Sequence, residues 1–307
     1  MRKFFLRAFE KEQGLEEAAR DLSTGRHRDD VLEDAIRALE QDPAEDTVGY
    51  GGYPNVLGVM ELDASFMDGN SRNCGAVAGV TNFLPVSVAH RLMQQQLHTL
   101  LVGEGAEAFA YECGFKPEPT LSNAQRELWE RTIKPLLDAR GERSLMDIVR
   151  TIPSPKKRNL DTTVMIAGDG NGLSGAASTS GWPYKHPGRL GDAPIIGAGL
   201  YVDSRYGGAC CTYTGEMATR AGTARFIVVQ MKAGKSVHGA VEAAIEDLSH
   251  LRGGHLRELV IHAADREGTA YVAAVNVQEP VFYQYWNEDL KQPEQRTADA
   301  VSLSFTR

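Results

Sequence analysis

The chain has no long apolar run: nowhere in its 307 residues do the roughly 18 consecutive apolar positions of a membrane span occur. Its opening, MRKFFLRAFEKEQ, is basic, but charges break it up before the roughly 7 to 15-residue apolar core of a secretory signal can form. A cytoplasmic protein without a membrane partner is the expectation. Cysteine is scarce. Cys74, Cys113, Cys210 and Cys211 make no C-x-x-C pair, and the adjacent Cys210 and Cys211 cannot close an ordinary relaxed bridge, so all four read as reduced core thiols. The 8 histidines show no paired metal spacing, with His98 and His186 read as turn or core residues. GDGNG lacks the ligand spacing of a calcium loop, and GAG at Gly197 is not a full G-x-G-x-x-G. Neither metal nor cofactor is expected. Positive charge is also in deficit, 33 Lys and Arg against 41 Asp and Glu for a net charge of -8, which argues against the clustered basic surface that nucleic acid requires. A small-molecule partner fits better.

What is present is a turn-rich globular composition, with 42% hydrophobic residues, 24% charged residues and 31 glycines. The length suits one or two domains. Apolar positions Leu15, Ala18, Ala19 and Leu22, then Val31, Leu32, Ala35, Ile36 and Leu39, recur at helical spacing and predict two amphipathic helices joined near Gly25. LGVMELDASFMDGNSRNCGAVAGV, broken by DGN and SRN, reads as a strand hairpin. Helix, strand and helix follow, with Gly103 and Gly105 at a tight connection. From about residue 116 to residue 161 the chain has a linker composition, polar at both ends (KPEPTLSNAQ and TIPSPKKRN) with one or two short helical patterns between. Beyond it TTVMIAG, LSGAAS, GAGLYVD and GGACCTYT read as a β-meander. ARFIVVQMKAGKSVHGAVEAAIEDLSHL reads as a strand and a helix, and ELVIHAAD and AYVAAVNVQEPVFYQYW as closing strands. Such segregated runs suggest two sheets packed face to face with helices outside, an α+β arrangement. No internal repeat is visible.

The segment from Asn159 to Gly199 carries the chemistry. A polar stretch stops at Leu160-Asp161-Thr162, where a strand begins. Were the Asp161–Thr162 bond cut, Thr162 would hold a hydroxyl nucleophile and an amine on one carbon framework, and a free α-amine titrates near roughly 7.7 to 8, where a general base is useful. Before the cut, the same hydroxyl could attack the preceding carbonyl, with Asp161 placed to assist. By itself an Asp-Thr at a strand start is equally a capped turn, and GRLGD equally a surface salt bridge of little energetic value.

The company these residues keep is more specific. LDTT, STSG, PGRLGDAPIIGAG and TYTGE stand in the order of the motifs of the N-terminal-nucleophile asparaginases, and VGYGGYPN, ELDASFMDG, CGAVAG and HTLLVGEGAEAFAYECGF are similar to that family's α-chain. The chain resembles this family from roughly Glu17 onward, and within it the glycosylasparaginases most.

The resemblance implies a four-layer αββα sandwich of the N-terminal-nucleophile hydrolase type. One precursor would be cut into an α-chain, 1–161, with a flexible linker at about 116–161, and a β-chain, 162–307. The two would form one domain, and αβ units would pair as dimers. It further implies Thr162 as nucleophile, Thr179 as its hydrogen-bonding support, and Arg189 and Asp192 as a clamp for the α-carboxylate and α-amine of an asparagine-like substrate. The Thr212 hydroxyl and the Tyr213 N–H would form the oxyanion site.

Three departures stand out. Tyr213 replaces a glycine and projects a ring near the substrate, Val164 stands where the family has a glycine, and Phe9 is the nearest counterpart of an aromatic near the family's substrate pocket. The activity implied is hydrolysis of a side-chain amide, with glycosylasparagine giving aspartate and a glycosylamine. An isoaspartyl peptidase with asparaginase activity is the alternative, and a non-cleaving relative that binds an amino-acid-like ligand or a partner is another.

Overall fold

A computed structural model describes residues 1–8, 12–95, 97–152 and 162–305, so Phe9 and Asp161 lie outside the described residues. The first half runs β1 (Lys3–Ala8), α1 (Leu15–Thr24), α2 (Arg28–Glu40), β2 (Leu62–Asp68), β3 (Cys74–Val80), α3 (Pro85–Gln95), β4 (Leu100–Val102) and α4 (Gly103–Glu112). Next come three short helices, α5 (Asn123–Thr132), α6 (Lys134–Asp138) and α7 (Leu145–Thr151). The second half opens with β5 (Thr162–Asp169), β6 (Leu173–Thr179), β7 (Leu200–Asp203) and β8 (Gly207–Tyr213). It continues through α8 (Gly215–Ala221), α9 (Thr223–Lys232), α10 (Val237–Ser249), β9 (Leu259–Asp265), β10 (Ala270–Val275), β11 (Phe282–Asn287), β12 (Glu294–Thr297) and β13 (Asp299–Val301).

The strands form two sheets, in the order β12-β11-β1-β5-β6-β2-β3-β4 and the order β13-β10-β9-β8-β7. Side chains alternate between the two faces of a strand, and here both faces are apolar. Phe5, Met165 and Trp286 of the larger sheet pack with Leu15, Leu22, Leu32 and Ile36 of α1 and α2. Their neighbours Phe4, Leu6, Val164 and Ile166 pack instead with Leu200, Val202, Cys210 and Val260 of the smaller sheet. On that sheet Cys211, Ile261 and Ala273 turn the other way, onto Ile227, Val228, Val241 and Leu248 of α9 and α10. Burial on both faces is why β5 and β6 read as continuous apolar runs, without the alternation of a half-solvated strand.

The two amphipathic helices, the 62–80 hairpin and the helix–strand–helix unit ending in α4 lie where periodicity places them. Three expectations are corrected, and one strand went unread. ARFIVVQMK is helix α9, not strand: its β-branched residues suggested a strand, but buried Ala224, Ile227, Val228 and Met231 fall at i, i+3, i+4 and i+7. The four runs read as one meander split between sheets, because the loop from 180 to 199 carries the chain from β6 to β7. Cys74 and Cys113 are half-buried; Cys210 and Cys211 are core thiols. Finally, β1 was not anticipated, since Lys3 and Arg7 interrupt its apolar pattern, although Arg7 is fully buried with its Nη1 donating to the Gln13 carbonyl at 2.8 Å. The segment of linker composition carries α5–α7, whose Ile133 and Ile148 pack with Val56 and Tyr184 in a small core of their own.

At the end of α2, Glu40 is fully buried, and its Oε1 accepts from Ser178 Oγ at 2.6 Å and from Val86 N at 3.1 Å. Burial pushes this carboxyl from its ordinary 4.5 up to about 8. The folded chain therefore binds more protons than the unfolded chain between those values, and this group's contribution to stability falls as pH rises through the window. Glu40→Gln removes that dependence. Its melting temperature relative to the parent protein is expected to climb as pH is raised from 4.5 to 8, whereas a difference constant with pH would contradict the assignment.

Candidate active site

Three neighbouring strands of the larger sheet bring polar side chains into a row. The register sets Thr162 of β5 opposite Thr179 of β6, and Thr179 opposite Asp63 of β2. Register partners share a face of the sheet, and all three residues are buried, at 4%, 2% and 0% exposure. Thr162 Oγ1 donates to Thr179 Oγ1 at 3.2 Å, and the Gly181 N–H donates to the same Thr179 oxygen at 2.8 Å. The neighbouring Thr163 points to the opposite face, and its buried Oγ1 has no hydrogen-bond partner among the described residues.

Asp63 is held from two sides. Its Oδ1 accepts from Gly79 N at 2.8 Å, and its Oδ2 lies 3.8 Å from the Nζ of buried Lys185, which donates to the Glu61 carbonyl at 2.8 Å. Burial pushes the Asp63 carboxyl above the ordinary carboxylate range, against the opposing pull of Lys185.

The loop leaving β6 folds its cations back over this row. Gly181 has φ 72, and a Cβ there would sit 3.0 Å from Lys185 Nζ and 3.1 Å from Arg189 Nη1, so both the backbone angle and the close approach favour glycine. Arg189 forms a two-pronged ion pair, Nε to Glu216 Oε1 at 3.0 Å and Nη2 to Glu216 Oε2 at 2.9 Å. Its guanidinium carbon also lies 4.4 Å from the ring centre of Trp182. Asp192, at 4% exposure, is fixed through its neighbour Ala193, whose carbonyl accepts from Ser65 Oγ of β2 at 2.5 Å. A Cβ on Gly215 would collide with Asp192 Oδ1, which brings the start of α8 against this carboxylate.

At the end of β8 stand Thr212 and Tyr213. Thr212 is fully buried, and its Oγ1 has no hydrogen-bond partner among the described residues. Tyr213 adopts φ 80, a left-handed conformation that costs a bulky residue about 1–3 kcal/mol and persists only where its surroundings enforce it. Trp182 Nε1 donates to the Tyr213 carbonyl at 3.4 Å. Of the residues singled out in the sequence, Thr162 and Thr179 are joined directly, Arg189 and Tyr213 are bridged by Trp182, and Arg189 passes close to Gly181, whose N–H binds Thr179.

Residues 8–291 match the family model described as Asparaginase. The chain belongs to the asparaginase family, and it is a hydrolase acting on amide bonds. It is 38% identical to an N(4)-(beta-N-acetylglucosaminyl)-L-asparaginase of Elizabethkingia miricola, over 80% of this chain and 69% of the relative. It is 32% identical to a plant-type L-asparaginase of Pyrococcus furiosus, over 86% of this chain and 85% of the relative. An isoaspartyl peptidase/L-asparaginase of Mus musculus is 35% identical, over 78% and 71%.

In this asparaginase-family chain, sequence reasoning missed Asp63, Lys185, Trp182 and Glu216. Asp63 and Glu216 sat within quoted motifs, ELDASFMDG and TYTGE, but nothing in one dimension paired them with Lys185 and Arg189. Tyr213, where the resemblance leads one to expect a glycine, adopts a positive φ. Val164 fills the inter-sheet core at 1% exposure.

The Lys185–Asp63 pair yields a prediction about stability. Removing one partner of a buried pair leaves an uncompensated charge, so Lys185→Met is expected to cost about 3–5 kcal/mol, while a double variant with Asp63→Asn recovers most of that loss. Urea unfolding of the single and double variants measures the coupling, and additive losses would show that the two side chains do not interact.

Proposed function

We propose that Thr162 is the nucleophile of an amidohydrolase, freed by self-cleavage of the Asp161–Thr162 bond. The fold in this reading is the four-layer αββα sandwich of N-terminal-nucleophile hydrolases. Chains 1–161 and 162–307 remain together as one domain, and αβ units pair as dimers. The observation that carries the reading is the hydrogen bond of 3.2 Å from Thr162 Oγ1 to Thr179 Oγ1, which presents a buried hydroxyl at the first residue of a central strand.

From that position the chemistry follows in steps. The freed α-amine takes the proton from Thr162 Oγ1 as the oxygen attacks the substrate's side-chain amide carbon. The developing oxyanion is met by the Thr212 hydroxyl, which is buried with no other partner among the described residues, and by the backbone N–H of Tyr213. The amine then passes its proton to the leaving nitrogen, a β-aspartyl ester forms on Thr162, and water releases aspartate. Arg189 and Asp192 hold the substrate's α-carboxylate and α-amine.

The substrate class is an asparagine-type side-chain amide, and glycosylasparagine is the favoured member. The bacterial relative named for that substrate, at 38% identity, supports the choice. Isoaspartyl peptidase activity uses the same residues and is favoured by relatives that carry its name at 35% identity. Turnover of glycosylasparagine, β-aspartyl dipeptide and asparagine in parallel separates the two, and preference for the dipeptide would overturn the first choice.

Two variants test the mechanism. Thr162→Ala is expected to abolish both cleavage and activity, leaving under denaturing mass spectrometry a single uncut chain in place of a fragment beginning at residue 162. An uncut parent protein would instead support a non-cleaving relative that binds a ligand without turnover. Thr212→Val, which keeps the side-chain volume and removes the donor, is expected to lower kcat by about 100- to 1,000-fold while leaving cleaved chains in solution.

A further inference from the structure

Trp182 touches both halves of the proposed site. Its ring carries the Arg189 guanidinium at 4.4 Å, and its Nε1 donates to the Tyr213 carbonyl at 3.4 Å. The ring itself is steadied by His255, with ring centres 4.6 Å apart and planes tilted by 55°. We infer that Trp182 is a positioning residue that couples the substrate clamp to the backbone of Tyr213, the residue whose N–H faces the oxyanion, an inference that rests on the reading of Thr162 as nucleophile.

Arg189 can meet a substrate carboxylate only in the orientation its neighbours allow. The Nε and Nη2 edge is occupied by Glu216, and Trp182 covers the guanidinium face. What remains is the Nη1 corner, which passes between two glycines: a Cβ would lie 3.1 Å away on Gly181 and 3.2 Å away on Gly191. A guanidinium fixed within its plane by a carboxylate and in rotation by an aromatic face presents that corner without reordering. Glu216 alone would leave the plane free to swing about the ion pair, because it contacts one edge.

The second contact acts on a different quantity. Tyr213 is held at φ 80, and such a conformation persists where surrounding contacts enforce it. The indole N–H binds the carbonyl of this strained residue and so restrains the backbone that aims its N–H at the oxyanion. Trp182 therefore serves substrate binding through its ring face and turnover through its N–H, and the two can be removed separately.

Trp182→Phe retains a ring face and loses the N–H, whereas Trp182→Met fills similar space with neither. With rates expressed per chain that begins at Thr162, the Phe variant is expected to keep KM within about twofold of the parent protein while kcat falls about 2- to 10-fold. The Met variant is expected to show the same fall in kcat and, in addition, a rise of about 5- to 30-fold in KM and in the calorimetric Kd for L-aspartate. Should the Met variant not fold, Trp182→Leu gives the same comparison. Equal KM and equal aspartate affinity in the Phe and apolar variants would overturn the inference, as would unchanged kcat in the Phe variant. Activity retained in Thr162→Ala, or an uncut and inactive parent protein, is the separate signature of a failed nucleophile assignment, and the aspartate Kd then still decides whether Trp182 orients Arg189.

Discussion

Across β2, β6 and β5 the backbone ladder places Asp63, Thr179 and Thr162 side by side, and the rest of the site is assembled on that row. The chain offers two adjacent threonines at the start of β5, and register alone distinguishes them. Thr162 shares the inter-sheet face with Val164 and Ile166, while Thr163 shares the helix-facing side with Met165. A slip of one residue would exchange the two faces and turn the wrong hydroxyl away from the helices and onto the inter-sheet face. Apolar packing on both sides of β5 opposes that slip, so the same core that stabilises the fold also selects the hydroxyl that meets Thr179.

Above the row, charge is organised by pairing. The chain is acidic overall, yet two cations converge on Gly181, each with its own carboxylate: Lys185 with Asp63 and Arg189 with Glu216. The first pair is almost completely buried, where desolvation offsets much of the attraction, so its contribution lies more in fixing positions than in stability. The second is partly exposed and is ordered by the ring of Trp182. Strain is held in the same place, with Tyr213 in a left-handed conformation at the strand end that also carries Thr212. Two fixed cations, a buried hydroxyl and a constrained peptide suit a small zwitterionic substrate with a polarised carbonyl.

Much of the fold was legible where one physical signal dominated. The helical period of Leu15 to Leu39 and the turn residues between β2 and β3 left little choice. Legibility failed where signals conflicted. In α9, β-branched residues outweighed a correct helical period, and in β1 two charged residues masked a strand whose Arg7 finds its partners only inside the fold. Thr162, Thr179, Thr212, Arg189 and Asp192 could be named because they lie in short ordered motifs. Asp63, Lys185, Trp182 and Glu216 could not, because each gains its role from a partner 27 to 124 residues away or from a ring contact.

By itself the sequence determined which chemical groups are available and in what order, because local propensity and motif spacing are properties of neighbouring residues. It also determined the period-two and period-3.6 burial from which most sheets and helices could be read. The tertiary structure decided which sheet each strand joins, which of two adjacent threonines faces Thr179, and which carboxylate holds Arg189. Those outcomes depend on distances between segments far apart in the chain, and packing sets them only when the two sheets close on one another.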